Sequence, residues 1–380
     1  SLNFFLRLGF SKDNVGSNED IVILTRELEE IPHSRPFVGT LEANAAAAVV
    51  ASRQLAQGPF VRSLEERWCQ LTSMTSAACV GSGLGALRLA LLALGIGSGD
   101  EVIVPAYSCA APMNAVLAMG AKPVLSDILM DDWTVSPIDV ERHITRRTKA
   151  IIAIHLFGGP AAVSKLLGHG LPVVEDCSHG IGGQCNGQPF GGSGTLSMSS
   201  FYATKMIAAG EGGIVAARDS SLIDRVRGAR DYGDQLPSPY LLNDKLTDIE
   251  AAIALEQLKQ LPEILSRRAE RARQYDALLK PLVERGLIAL PHRTPGRLWY
   301  RYAVRLLEHK APEVCRWMAA HHVRVEQPVW DLRKSELWSS ELGTTALAFE
   351  HLTSLPLYPD LDPIDQQTVC YTLTRCLESI

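Results

Sequence analysis

The sequence predicts an α/β protein with a mostly parallel central sheet between helices, followed by a smaller C-terminal α+β domain. Between about Ser76 and Ala217, short β-branched runs alternate with helical stretches, the pattern of a parallel sheet covered on both faces. From about Leu246, apolar residues recur at a helical period. The chain has 380 residues, which allows two domains at about 100–200 residues each.

The elements follow from these patterns in chain order. The predicted strands are AACVG, EVIVP, KPVLSD, AIIAIH, PVVEDC and GIVAA, and the predicted helices between them are GALRLALLAL, APMNAVLAMG, PIDVERHI and PAAVSKLL. TDIEAAIALEQLKQL is predicted to be a helix, and Pro262 then permits a new, charged helix to begin. In the last part of the chain, YRYAVRLL and VRVEQP are strand-like.

These elements divide the chain into three predicted regions. Residues 1–34 form an N-terminal extension, 35–265 a large α/β domain, and 266–380 a small C-terminal α+β domain. A helix over about 19–30 is predicted inside the extension. The sequence assigns the extension no role.

Composition disfavours several classes of function. The chain carries 37 basic and 42 acidic residues, a formal net charge of -5, without the basic stripe that nucleic-acid binding requires. It has no run of about 20 apolar residues for a membrane span, and its apolar N-terminus lacks the length and cleavage site of a signal peptide. We therefore expect a cytoplasmic protein with no nucleic-acid or membrane partner.

The cysteines do not indicate a metal site. All eight are scattered without a C-x-x-C motif or a ligand-like pairing with histidine. Free cysteines of this kind are most often small buried hydrophobic residues. The sequence therefore predicts neither a metal centre nor a disulfide scaffold.

The first candidate motif is GSGLGA, from Gly81 to Ala86, between a strand and a helix. It fits the dinucleotide fingerprint G-x-G-x-x-G/A, but the next strand, EVIVPAYS, lacks the terminal acid that would hold a ribose. What remains is a Gly-rich turn, containing Ser82, Gly83 and Leu84, that opens a helix, where free N–H groups and the positive dipole end can hold a phosphate. A tight turn without a ligand is the alternative.

The second motif is VVEDCSHG. Asp176 stands at the carboxyl end of a buried strand, where ligands bind in such sheets, and a buried carboxylate needs a partner. A protonated heterocyclic nitrogen is one such partner, and a helix cap is the alternative role. Glu175 points to the opposite face of the strand, and His179 follows three residues later.

The third motif is SSFYATKMIAAGEGGIVAA. Lys205 follows a strand-like, polar-to-aromatic run and precedes a glycine cluster. Burial there would make its amine nucleophilic toward aldehydes, whereas a solvated surface lysine is the alternative. A phosphate cradle, a buried carboxylate and an amine are together what a pyridoxal 5'-phosphate (PLP) site needs.

At this point the sequence resembles the DegT-type sugar aminotransferases, a family of fold-type-I PLP-dependent transferases, from about Arg35 to Leu357. The stretches that carry the resemblance are QGPFVRSLEERW, VGSGLGALRLALLALGIGSGDEVIVP, MNAVLAMGAKPVLSDI, TKAIIAIHLFG, VEDCSHGIGG, FYATKMIAAGEGG, TDIEAAIALEQLKQL and SLPLYP. Their order and spacing carry the assignment. The resemblance implies a PLP-binding large domain.

The resemblance implies a role for each matching residue. Lys205 matches the lysine that forms the internal aldimine and moves the proton, and Asp176 matches the partner of the pyridine nitrogen. His179 falls where the family has Gln or His near the cofactor's phenolic oxygen. Ser200 matches a phosphate-binding hydroxyl, and Gly83 belongs to the turn whose amides hold the phosphate.

Three positions depart from the family pattern. Leu84 stands where the family usually has Thr, and Cys109 where it often has an aromatic residue stacked on the cofactor, with Tyr107 nearby. Asn243 matches a residue that reaches the partner subunit's phosphate, which implies a homodimer with a shared active site. Lys245 replaces the usual Arg in that loop.

The function that the resemblance implies is transfer of an amino group from an amino acid donor, L-glutamate, to a keto sugar linked to a nucleotide. Amination of a keto-cyclitol and a noncatalytic PLP-binding sensor or scaffold are the alternatives. Family dehydratases carry His in place of the aldimine lysine, so Lys205 argues against dehydration.

Overall fold

The computed structural model describes residues 30–232 and 242–380, and the backbone of two short paired strands, β1 (Ser11–Asp13) and β2 (Ile23–Thr25). The central sheet consists of β3 (Ser76–Val80), β4 (Glu101–Pro105), β5 (Lys122–Ser126), β6 (Thr148–Ile154), β7 (Val173–Asp176), β10 (Leu196–Ser200) and β11 (Gly213–Ala217). A small hairpin of β8 (Gln184–Cys185) and β9 (Gln188–Pro189) lies outside it.

The strand order is β3-β11-β10-β7-β6-β4-β5, and only β11 runs antiparallel to its neighbours. All six predicted strands form, and the strand-like run before Lys205 is the seventh, β10. The mostly parallel sheet is confirmed. Because its strands point the same way, their carboxyl ends meet at one edge.

Helices cover both faces of the sheet. They are α1 (Thr40–Ser52), α2 (Pro59–Thr72), α3 (Gly83–Ala93), α4 (Ala111–Ala118), α5 (Pro137–His143), α6 (Val163–Leu167), α7 (Ser220–Arg230) and α8 (Asp248–Glu284). Helices α3, α4 and α7 pack on one face, whereas α2, α8, α5 and α6 pack on the other.

Strand β4 shows why the strands of the central sheet are unbroken runs of apolar residues in the sequence. Val102 and Val104 lie in one core cluster and Ile103 in another, and all three are fully buried. Since burying each such side chain stabilises the fold by about 1.5–3 kcal/mol, both faces of the strand favour apolar residues.

The C-terminal part is α+β, as predicted. It contains a three-stranded antiparallel sheet of β12 (Ile288–Ala289), β13 (Tyr302–Leu306) and β14 (Leu352–Leu355), with α9 (Ala311–Ala320), α10 (Gly343–His351) and α11 (Pro363–Ser379). This sheet has its own core with α8, α9 and α11. The domain division at 265 stays a prediction, and helix α8 passes through it.

Three predictions about elements were wrong. Pro262 does not begin a new helix. It lies inside α8, which is 37 residues long in total. VRVEQP makes only two isolated bridges, from Val323 to Ile31 and from Glu326 to Ser354. Of the helix expected over 19–30, Ile23–Thr25 is a strand, and most of the rest lies outside the described residues.

Over the ranges that the structure describes, no helix combines the length and apolarity needed to cross a membrane.

Candidate active site

A cavity of about 250 Å³ opens at the carboxyl ends of the central strands. Its wall is built from the segments that follow β3, β4, β6, β7 and β10. The predicted site residues in this wall are Ser82, Gly83, Leu84, Cys109, Asp176, His179, Ser200 and Lys205. The fold therefore brings together motifs that lie more than a hundred residues apart.

The first side of the cavity is the N-terminus of α3. Ser82 caps this helix, and its Oγ accepts a hydrogen bond from the Gly85 N–H at 3.0 Å. A Cβ at Gly83 would lie 2.6 Å from Ser200 Cβ, so only glycine lets the helix approach this serine. The first turn of a helix presents N–H groups without helical partners and a positive dipole end. This corner can hold a phosphate.

The second side is the end of β7. Asp176 is only 6% exposed, and its Oδ1 accepts the Ser178 N–H at 2.8 Å. Within the described residues this is the one hydrogen bond that its carboxylate makes, which leaves Oδ2 for a ligand in the cavity. A buried carboxylate in this position fits a cationic nitrogen.

The third side holds the amine. Lys205 lies in the turn between β10 and β11, and its Nζ is 2.8 Å from His179 Nε2. Burial, together with the charges of Lys205 and Arg301, holds the pKa of His179 well below its ordinary value. The imidazole is therefore neutral at physiological pH. It can form a hydrogen bond with the Lys205 amine without the charge repulsion that a protonated imidazole would cause.

The remaining predicted residues lie elsewhere. Tyr107 does not line the cavity: it is 1% exposed, and its ring packs 5.1 Å from that of Phe349 and edge-on to Phe157. The large ring is buried in this core, whereas the smaller Cys109 stays exposed at the cavity. Asn243 is exposed, with its backbone paired to Asp231, and is not part of this chain's cavity.

Sequence analysis missed Tyr300. Its ring stacks on that of His179, with the centroids 4.1 Å apart, and Lys205 Nζ lies 5.2 Å from the ring centroid. The residue precedes β13 in the C-terminal part of the chain, where the only sequence signal was a strand-like run. Ser178, Tyr202 and Glu211, which the sequence did not indicate either, line the cavity itself, whereas Tyr300 contacts it through His179 and Lys205.

Behind the cavity, Glu175 points to the opposite face of β7, as predicted. Its Oε1 accepts from His155 Nε2 and the Gly191 N–H, both at 2.8 Å, and its Oε2 accepts from the N–H groups of Ser193 at 3.0 Å and Gly194 at 2.7 Å. His155 Nδ1 accepts from the Ala161 N–H at 3.1 Å, so Nε2 carries the proton that it donates. These contacts hold the end of β7, and with it Asp176.

A cysteine completes a cluster at this position. Cys177 brings its ligand atom, together with those of His155 and Glu175, to within 4.8 Å of one another. Both ring nitrogens of His155 and both oxygens of Glu175 are already hydrogen-bonded. Hydrogen bonding therefore accounts for the cluster without a metal ion.

The residues of the cavity fit PLP. Among the described residues, one carboxylate oxygen of Asp176 has no protein donor. The Gly83 turn and Ser200 can form an anion cradle, and Lys205 supplies the amine. A carboxylate, a phosphate cradle and a lysine at the carboxyl edge of a parallel sheet are the features of a PLP-dependent enzyme.

The comparison with family models makes the assignment specific. The DegT/DnrJ/EryC1/StrS aminotransferase family matches residues 37–374, and the chain belongs to this family. PLP is its cofactor. This confirms the resemblance found in the sequence.

Solved structures agree with this assignment. The aminotransferase TlmJ from Streptoalloteichus hindustanus is 27% identical with a TM-score of 0.86, over 92% of this chain and 99% of that one. DesV from S. venezuelae, solved with a ketimine intermediate, is 30% identical with a TM-score of 0.81, over 89% and 95%. The PLP form of the putative sugar aminotransferase Spr1654 from Streptococcus pneumoniae shares the fold at 23% identity, with a TM-score of 0.85 over 92% and 99%.

Acid unfolding tests the support of β7 by Glu175. Although burial alone would raise the pKa of Glu175, His155 and the N–H groups of Gly191 and Gly194 hold it below 4.5. The resulting stability is complete above pH 4.5 and is lost as the pH falls through the lower folded-state pKa. We expect Glu175→Gln to cost roughly 3 kcal/mol at pH 7, and less in acid, in urea unfolding from pH 3.5 to 7.

The surface variant Glu263→Gln is the matched control, because Glu263 is half exposed and pairs with Arg267 within one helix. Its cost should stay below about 0.5 kcal/mol at every pH. A Glu175→Gln cost that does not change with pH would contradict this account of Glu175.

Proposed function

We propose that the protein transfers an amino group from an amino acid, L-glutamate, to a keto sugar linked to a nucleotide. The observation that carries the proposal is the contact between Lys205 Nζ and His179 Nε2 in the cavity that Asp176 also lines. The sugar acceptor is supported by the match to Spr1654, named a putative sugar aminotransferase. The cytoplasmic location expected from the sequence stays a prediction.

Each residue has a distinct task in this proposal. PLP, when bound, supplies the electron sink for the transfer. Asp176 would hold a proton at the pyridine nitrogen, and the Gly83 turn with Ser200 would hold the phosphate. Lys205, once its amine is released, takes a proton from the carbon of the donor and returns one during formation of the product, with its amine hydrogen-bonded by His179.

Part of the cavity wall is apolar. Leu87, Ile154, Leu156 and Met198 contribute apolar side chains to its wall. An apolar wall strengthens the electrostatic contacts between the charged groups inside it.

The two alternatives make different demands on the site. A keto-cyclitol acceptor would use the same residues and differ only in contacts at the mouth of the cavity, where Tyr202 and Glu211 lie. A noncatalytic PLP-binding sensor or scaffold would not require the Lys205 amine to be hydrogen-bonded in the cavity that Asp176 lines. The contact between Lys205 and His179 therefore favours an enzyme.

We also propose that the active site is shared between two copies of this chain. Helix α1 buries only Glu42 and Val49, whereas its Leu41 and Val50 are each 56% exposed. Ala43, Ala47, Ala48 and Ala51 of the same helix are exposed as well, so apolar side chains are exposed around much of α1. A large exposed apolar area is typical of an interface, and we propose that a second copy covers it.

The loop that carries Asn243 supports the same proposal. The Gly81 N–H donates to the carbonyl of Asp244 at 2.7 Å, and a Cβ at Gly85 would lie 3.1 Å from the Asp244 carboxylate. Asp244 is thus packed against the start of α3 in its own chain. The neighbouring Asn243 is left exposed, and we propose that it reaches the phosphate bound by the partner.

Loss of the amine should abolish the donor half-reaction. Lys205→Ala should reduce the rate at which glutamate converts bound PLP to its amine form by about 10²–10⁴-fold or more, because proton transfer loses its base. Stopped-flow absorbance of the bound cofactor measures this. Lys259→Ala, on the exposed face of α8, is the control, and a Lys205→Ala rate equal to the control's would contradict the proposal.

Acceptor choice separates the two enzymatic proposals. The protein loaded with the amine form of the cofactor should return to PLP when a nucleotide-linked keto sugar is added, and should respond more weakly to free keto sugars and keto-cyclitols. Mass spectrometry of the aminated products identifies the acceptor. Faster turnover of a keto-cyclitol than of any nucleotide-linked sugar would favour the alternative.

Mixed dimers test the shared site. Lys205→Ala and Asn243→Ala should each impair activity, but co-expressed chains with different tags should form dimers in which one site has both wild-type residues. Activity should therefore return in purified mixed dimers, while analytical ultracentrifugation confirms their mass. If both residues acted in the same chain, every site would keep a defect and activity would not return.

A further inference from the structure

Tyr300 joins the active site from the other part of the molecule. It lies just before β13, and its N–H donates to the carbonyl of Phe157 at 3.3 Å. Two residues earlier, the Leu298 N–H donates to the carbonyl of Gly158 at 2.8 Å. The segment before β13 is therefore hydrogen-bonded to the turn that follows β6. Its Tyr300 ring lies next to His179 and Lys205.

A buried arginine fixes this segment from behind. Arg268 of α8 is only 4% exposed, and its Nη1 donates to the carbonyls of Trp299, Tyr300 and Leu357 at 3.4, 3.2 and 3.1 Å. Because its side chain is surrounded by protein, burial lowers the pKa of Arg268 to about 10, yet it stays protonated at neutral pH. The backbone of Tyr300 is thereby held in place.

The ring of Tyr300 contacts both partners of the catalytic pair. Its plane lies 14° from that of His179 at a centroid distance of 4.1 Å, while Lys205 Nζ is 5.2 Å from its centroid. Phe157 is nearly parallel to the imidazole, at 6.3 Å. The imidazole is therefore in direct stacking contact with Tyr300, and the Tyr300 ring also offers a cation–π contact to the ammonium form of the lysine.

We propose that Tyr300 is a positioning residue for proton transfer by Lys205: its ring holds His179 in the orientation that hydrogen-bonds the amine. The inference rests on the proposed function, since it concerns the same lysine. Misplacing a reacting group by about 1 Å can cost about a hundredfold in rate, so a ring that restrains the imidazole has a measurable effect.

Deprotonation of the Tyr300 phenol makes the proposed positioning role depend on pH. Its oxygen lies 3.5 Å from Thr204 Oγ1, and it faces cations from three elements: Lys205, Arg301 and Arg268. Burial alone would raise the pKa of Tyr300, but Lys205, Arg301 and the Thr204 hydroxyl lower it to about 8. Above this pH the phenol loses its proton beside the lysine, so the environment of the amine changes.

Two substitutions separate the ring from the hydroxyl. Tyr300→Phe keeps the ring and should retain the wild-type rate of the glutamate half-reaction at pH 7 within about twofold, while losing any change of rate or cofactor absorbance centred near pH 8. Tyr300→Leu removes the ring and should slow the half-reaction by about ten- to a hundredfold.

The control is Tyr302→Leu. Tyr302 is equally buried and lies two residues away, but its ring packs on Tyr275 and its hydroxyl donates to Asp276 in the small-sheet region. This variant should lose thermal stability without a specific change in the pH profile. In cofactor-free protein, NMR should show the His179 pKa moving toward its ordinary value in Tyr300→Leu but not in Tyr302→Leu.

The outcomes are distinct. If wild-type protein bound no PLP or gave no half-reaction with any amino acid, the proposed function itself would fail. If wild type reacts but Tyr300→Leu matches it, or Tyr302→Leu shows the same loss of rate, the inference is overturned. It is also overturned if Tyr300→Phe loses as much rate as Tyr300→Leu, because the ring would then not carry the effect.

Discussion

The active site depends on how the carboxyl end of β7 is held. Along a strand, successive side chains point to opposite faces, so Asp176 reaches the cavity only while Glu175 is anchored behind the sheet. That anchor is a buried carboxylate with four donors, from His155, Gly191, Ser193 and Gly194. A buried charge is tolerated only with such compensation. Here the same hydrogen bonds also hold the loop before β10 against the end of β7.

The charges of the cavity are arranged around this strand end. Asp176 offers a negative charge on one side, whereas the start of α3 offers a positive dipole end on another. Between them, Lys205 has a neutral imidazole as its nearest partner, because burial and neighbouring cations keep the pKa of His179 low. The site thus has one position for a cationic ring nitrogen, one for a phosphate and one for a reactive amine.

Sequence reasoning found the residues whose signals are local. Asp176 ends a buried strand, Gly83 opens a helix, and Lys205 lies between a strand and a glycine cluster. Tyr107 and Tyr300 show the limit: one packs against Phe349 and the other against His179, through contacts between distant parts of the chain. Pro262 was misjudged because tertiary packing of α8 outweighs the local cost of proline in a helix.

We propose that Lys205 is the residue that binds PLP in this cavity, which Asp176 and His179 also line. Borohydride reduction of the PLP-loaded protein, followed by peptide mass spectrometry, tests it most directly. We expect a stable pyridoxyl adduct on the peptide that contains Lys205, and its loss in Asp176→Ala protein that no longer retains the cofactor. An adduct on a different lysine, with Lys205 unmodified, would contradict it.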